Sequence, residues 1–289
     1  MKRVVTRSIS LACFLSALVF GQAFGQEVNP EEVLSKHRES IGSKDKIAAI
    51  KNQMVLTDAK FTFKGGALVI AGKALILSSP EKNLFGMNFN SNDYPQDRFG
   101  FDGKDVRIGR PTPTSRSLLG EFLYNNRELL KEGLLGGVLS SSWPLLNTDR
   151  RPAKISYEGR KTIDGKSAII LSYEPKGGSD VKIKIYFDDK TFQHVRTEYT
   201  LVRAAIQGPS INTSAGQSGA IFRVVEDFSD FTKVSGLSLP KTYRITYART
   251  GTSSLATSQT TNRDAEWTFT VTNVSFNQEL DANAFNIDG

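Results

Sequence analysis

The chain has 289 residues, 39% hydrophobic and 23% charged, with a formal net charge of +7. These are ordinary proportions for a globular protein of one large β domain or two small ones. Lys2, Arg3 and Arg7 supply three of the excess charges and Met1–Gly25 carries no acid, which leaves +4 on the remainder. That mild excess, with no basic run interleaved with aromatics, speaks against nucleic acid as a partner.

Residues 1–25 read as a secretory signal peptide. Lys2, Arg3 and Arg7 form the charged start, Ile9 to Phe20 the apolar stretch, and Ala23-Phe24-Gly25 a small-x-small cleavage site that makes Gln26 the first mature residue. An uncleaved anchor is the alternative, but the apolar run is short for a span and Gln22 follows it. Cys13, the one cysteine, lies in that run behind Ser10-Leu11-Ala12, a poor lipidation signal. The mature chain then has neither disulfide nor thiol chemistry, and an exported protein of this length rests on its core. The expected organisation is a signal peptide at 1–25 and a single domain at 26–289, in the periplasm.

Asn29 to Ile50 reads as helix. Asn29 can cap, Pro30 suits the first turn, Val33, Leu34, His37 and Ile41 line one side, and Gly42 breaks it before a short helix from Lys44. His37 reads as a packed surface-edge residue. From Asn52 the period becomes two: Val55, Thr57, Ala59, Phe61 and Phe63 alternate with polar residues. Ala67–Leu77 and Asn83–Asn90 follow, the latter with Phe85, Met87 and Phe89 on one face. Asp102-Gly103 marks a hairpin.

Ser117 to Gly137 is the clearest helix signal in the chain. Leu118, Leu119, Phe122, Leu123, Leu129, Leu130 and Leu134 share one half of the wheel, and Gly136-Gly137 gives a stop. Asn126 and Gly133 interrupt the apolar face. Either this helix covers a sheet, or it is a movable lid over a cavity for an apolar ligand.

Strands resume at Ile155. Val181, Ile183, Ile185 and Phe187 give the cleanest alternation, 207–219 reads as an exposed loop, and Trp267, Phe269 and Val271 fall out of phase with Val274 and Phe276 unless a bulge lies near Thr272-Asn273. About eleven strands joined mainly by tight turns predict a mainly β fold with some helix: an antiparallel sheet, strongly curved and closed by amphipathic helices.

Reactive groups at motif spacing are scarce. His37 and His194 lack metal-ligand spacing, and no nucleophile elbow or phosphate loop appears. Asp188-Asp189 sits in a turn, and Glu226-Asp227 with Asp230 reads as the polar phase of a strand. No catalytic residue, metal or cofactor is expected, and an enzyme, most readily a hydrolase, is the third reading.

Three stretches carry a resemblance. They are Glu32-Val33-Leu34-x-Lys36-His37 with Gly42, Lys46-Ile47 and Ala49-Ile50-Lys51; Glu132-Gly133-Leu134-Leu135-Gly136-Gly137 with Trp143-Pro144-Leu145; and Glu226-Asp227-Phe228-Ser229-Asp230-Phe231 with Gly236-Leu237-x-Leu239-Pro240 and Phe276-Asn277-x-x-Leu280-Asp281-x3-Phe285. Together they resemble the LolA-like outer-membrane lipoprotein-sorting and lipid-binding proteins. The resemblance implies an incomplete β-barrel with helices over its hollow and acyl chains bound there. This chain is longer than the best-known carrier and has the 207–219 insertion.

The expected function is therefore that of a non-enzymatic periplasmic carrier or binding protein for a lipid, lipoprotein acyl chains or another apolar ligand. Leu119, Phe122, Leu123, Leu130 and Leu134 would line the cavity from the helix, with Phe85, Met87 and Phe89 opposite. Its partners would be a lipid or acylated lipoprotein and envelope membrane proteins, and it would be a monomer. The competing expectation is a structural or interaction module of the envelope, its sheet filled by its own side chains.

Overall fold

The computed structural model describes residues 28–63, 69–94, 96–110, 115–204, 219–252 and 263–287. The expected signal peptide, and all but the last residue of the loop expected at 207–219, lie outside the described residues.

Twelve strands form one antiparallel sheet. They are β1 Gln53–Phe63, β2 Val69–Ser79, β3 Lys82–Phe89, β4 Gln96–Phe101, β5 Val106–Ile108, β6 Ala153–Ile163, β7 Lys166–Pro175, β8 Lys182–Asp188, β9 His194–Arg203, β10 Gly219–Val234, β11 Leu237–Thr252 and β12 Arg263–Phe276. The spatial order is β5-β4-β3-β2-β1-β12-β11-β10-β9-β8-β7-β6, so β5 and β6 are free edges and the sheet does not close. Hydrogen-bonded neighbours are consecutive in sequence except β1 and β12. Two meanders therefore meet along one seam.

The sheet curls strongly. Phe85 on β3 and Tyr243 on β11 are four strand steps apart, roughly 19 Å on a flat sheet, yet their ring centroids lie 6.1 Å from each other. This is an incomplete barrel, and its concave face carries the core. Alternation builds that face. Val55, Thr57 and Ala59 of β1, Phe85, Met87 and Phe89 of β3, and Tyr243, Ile245 and Tyr247 of β11 all turn inward and are buried. The expected bulge is present. Leu56 pairs with Asn273 and Thr57 with Val271, which leaves Thr272 as the extra residue, its hydroxyl donating to the Leu56 carbonyl at 3.0 Å. The bulge brings Trp267, Phe269, Val271, Val274 and Phe276 onto one face against the core.

Helix α1, Pro30–Ile41, starts as its sequence dictates: the Asn29 side chain accepts from the Glu31 amide and Pro30 occupies the first turn. After Gly42 comes α2, Lys44–Ala48. His37 is fully buried rather than at a surface edge, because α1 lays that side against Trp143 and Phe187 while its Nδ1 hydrogen-bonds the Phe192 carbonyl at 2.8 Å.

The single long helix expected over 117–137 is replaced by α3, Leu118–Asn125, and α4, Glu128–Lys131, followed by irregular chain. The two residues that interrupted the apolar face are the cause. The Asn126 side chain donates to the Phe122 carbonyl at 2.7 Å and its backbone leaves the helical region. Gly133 then takes a φ of 71°. Burial survives the break: every residue from Gly133 to Leu145 is buried.

Candidate functional site

The segment 117–146 connects the two free edges of the sheet in sequence and covers its concave face in space. Ser117 caps α3 by accepting from the Gly120 amide. α3 packs on β4 and β5, α4 on β4, and the short 3-10 turn Gly137–Leu139 on β9 and β11. All eight side chains expected to line a cavity, Leu119, Phe122, Leu123, Leu130, Leu134, Phe85, Met87 and Phe89, are buried in one apolar cluster. The helical and strand groups thus share one interior, which the irregular chain 133–145 also enters.

Among the described residues, no backbone-to-backbone hydrogen bond joins this cover to the sheet. Side chains make the attachment. Asn83 Nδ2 donates to the Leu130 carbonyl at 2.8 Å, Gln53 Nε2 to the Val138 carbonyl at 3.3 Å, and the Ser141 amide to Ser78 Oγ at 2.8 Å. Each gives a partner to a buried backbone group of the cover.

Two buried carboxyls hold the ends of the cover. At its start, Asp97 of β4 accepts from Ser117 Oγ and from Tyr94 Oη, and burial raises its pKa to about 6 against those hydrogen bonds. Towards its end, Glu226 of β10 accepts from the Gly136 amide at 2.8 Å, Tyr199 Oη at 2.6 Å and Tyr243 Oη at 2.5 Å. Glu226 is fully buried, and desolvation lifts its pKa to about 7 although all three donors favour the anion. The Glu226–Asp227 pair was expected on the polar phase of its strand. Glu226 instead shares the inward phase of Val224 and Phe228, and only Asp227 turns outward, bound by Arg196 at 2.6 Å and Arg244 at 2.9 Å.

Beside Glu226, Trp143 stacks on His194 with centroids 4.5 Å apart. Burial holds both histidines neutral, His37 down to about 4 and His194 well below its ordinary value. Among the described residues, no group of three or more His, Cys, Asp or Glu is placed to hold a metal.

The irregular chain needs glycine where it passes these rings. Gly137 has a φ of 50°, and a Cβ there would lie 2.7 Å from His194 Nδ1 and 2.9 Å from Phe228. Gly137→Ala is expected to cost about 2–4 kcal/mol through backbone strain and overpacking. Gly165→Ala also has a positive φ but meets nothing within 4 Å, and should cost about 1 kcal/mol. Urea titration of the two variants measures the difference, and equal costs would mean the rings yield freely.

No protein family and no curated protein matches this chain. Solved structures do. A LolA superfamily protein of Nitrosomonas europaea is 12% identical over 90% of this chain and 98% of its own, with a TM-score of 0.45. A Vibrio parahaemolyticus domain described as a candidate outer-membrane lipoprotein-sorting protein is 12% identical over 89% and 97%, with a TM-score of 0.46. A DUF1329 family protein of Desulfovibrio piger is 10% identical over 89% and 96%, with a TM-score of 0.41. The first two are of the class that the sequence motifs resemble.

Proposed function

We propose that the chain is an exported, non-enzymatic carrier or binding protein of the cell envelope. It would hold a lipid, lipoprotein acyl chains or another apolar ligand between its concave face and its cover. The observation that carries this reading is the attachment of the cover through side chains alone, over a face of apolar and aromatic residues. A cover without ladder hydrogen bonds can leave as a unit, and what it uncovers is a concave apolar surface suited to alkyl chains. Burying ten methylenes there is worth about 8 kcal/mol before ordering costs. Export rests on residues 1–25, and a donor and an acceptor in the envelope would be the partners.

One observation favours the second reading, a structural or interaction module with a filled core: residues 133–145 are buried without a break. Titration with a fluorescent fatty acid separates the two. The carrier should give a saturable signal, weakened about tenfold or more by Phe122→Ser, since a large apolar contact is worth about 1.5–3 kcal/mol. Folded protein that binds none, or binding indifferent to Phe122, would leave the filled module in its place.

A further inference from the structure

Phe63 of β1, Val69 of β2, Arg203 of β9, Gly219 of β10, Thr252 of β11 and Arg263 of β12 stand at one end of the sheet. There, among the described residues, Phe61, Phe63 and Phe222 are half-buried and packed against the core. Phe222 pairs across β10 with Leu201 of β9 and Arg249 of β11. The guanidinium carbons of Arg203 and Arg249 lie 5.7 Å and 5.3 Å from its ring centroid. Both arginines fall on the inward phase, one step beyond the buried Leu201 and Tyr247. The result is an aromatic ring with two cations near it, next to the apolar core.

The charge arrangement differs between the two faces of the same three strands. On the convex face Arg196 and Arg244 are bound to Asp227 and Arg223 to Glu198. On the concave rim, among the described residues, neither Arg203 nor Arg249 has a carboxylate in reach. Exposed surface arginines need no partner, but two that lie against one half-buried apolar ring place two cations beside any chain that packs on it. Guanidinium favours planar, bidentate recognition of carboxylate and phosphate, and the half-buried ring beside them suits the first carbons of an alkyl chain.

We propose that the ligand is an anionic amphiphile. Arg203 and Arg249 bind its phosphate or carboxylate headgroup at the rim, and its tail runs inward past Phe222 along Leu201, Val224 and Tyr247. This rests on the carrier reading above and adds the chemical class of the ligand and the end by which it enters. The headgroup stays at the surface, where salt screens it, and the tail supplies the apolar contact.

The test compares dodecyl phosphate with dodecanol, both below their aggregation limits, by calorimetry on the full mature chain and on the Arg203→Ser/Arg249→Ser double variant. Wild-type protein should bind dodecyl phosphate at least tenfold more tightly than dodecanol. The double variant should bind the two alike, with dodecanol affinity unchanged, and added salt should narrow the wild-type preference. Inorganic phosphate in excess should not displace dodecyl phosphate. A preference that survives in the double variant, or no preference at all, overturns the headgroup site while leaving the carrier standing. Displacement by inorganic phosphate would make the rim a free-anion site and overturn the proposal. Co-sedimentation with phosphatidylglycerol vesicles without uptake of dodecyl phosphate would make it a membrane-docking patch, with the same consequence. Folded wild-type protein that binds neither amphiphile overturns the carrier reading itself.

Discussion

Glu226→Ala is expected to lower the unfolding free energy by about 3–5 kcal/mol, because it strands buried donors rather than merely losing contacts. The Gly136 amide and Tyr243 Oη lose their acceptor, while Tyr199 Oη keeps the Leu134 carbonyl at 3.2 Å. Glu226→Gln keeps an oxygen for the first two and should cost about 1 kcal/mol or less. The glutamine variant also isolates the pH dependence of the site. The folded pKa of Glu226, about 7, is raised above its ordinary 4.5, so the folded state binds this proton more tightly than the unfolded chain does. Its contribution to stability is fully present below pH 4.5 and is lost as pH rises through about 7. Asp97 acts in the same direction, from its raised value of about 6. His37 acts in the opposite one: its contribution is present above pH 6.5 and is lost as pH falls through about 4. These groups are common to both proteins, so the stability of Glu226→Gln relative to wild type should rise steadily between pH 5 and pH 8 in urea titrations. A gap that stays constant across that range would show the carboxyl ionised in both the folded and the unfolded chain.

Leu130→Asp is expected to cost about 4 kcal/mol or more, and to expose the cover before the rest of the fold unfolds. Leu130 is 1% exposed, on the face of α4 that meets the core, and its carbonyl already receives the Asn83 side chain. A carboxylate there loses its water and displaces a leucine from the apolar cluster. Because the cover is attached by side chains and not by a ladder, its release can precede global unfolding. Limited proteolysis should therefore cut between 117 and 146 at denaturant concentrations where the strands remain protected. Lys131→Asp, on the exposed side of the same turn, should stay within about 0.5 kcal/mol of wild type. Coincident loss of strands and cover in Leu130→Asp would mean that cover and sheet form one cooperative unit.

Much of the sheet is legible from period two alone, because one face is buried along almost every strand. The alternation of Val181 to Phe187 and the phase slip at Thr272 both translate directly into register. The cap at Asn29 is equally local. The broken helix is less legible: a wheel records which residues face inward, and Leu129, Leu130 and Leu134 do so even though no single helix carries them past Asn126 and Gly133. For Glu226 the type of the residue argued against its phase. Its neighbours Val224 and Phe228 place it inside, whereas a carboxylate suggests outside, and the alternation is the correct guide. Its partners were beyond reach for another reason. Tyr199, Tyr243 and Gly136 meet it only through the pairing of three strands and the path of the cover, which no local pattern records. Arg203 and Arg249 follow the same logic, since their phase can be read beside Leu201 and Tyr247 but the shared ring cannot.

The seam between the two meanders has a consequence for how the chain reaches this state. Phe63 pairs with Ala265, about 200 positions away, while every other ladder joins neighbours in sequence. Closing so long a loop costs roughly 3 kcal/mol more in chain entropy than closing a hairpin of about six residues, at about 0.6 kcal/mol per doubling. The meanders β1–β5 and β6–β12 can therefore form separately and early, with the seam closing late. Residues 117–146 follow the first meander during synthesis, yet Glu226, Tyr199 and Tyr243, which anchor them, belong to the second. Until the seam closes, the leucines of that stretch have only half of their eventual surroundings. In the nascent chain this stretch stays open until the second meander is made, and a hazard of misassembly lies there.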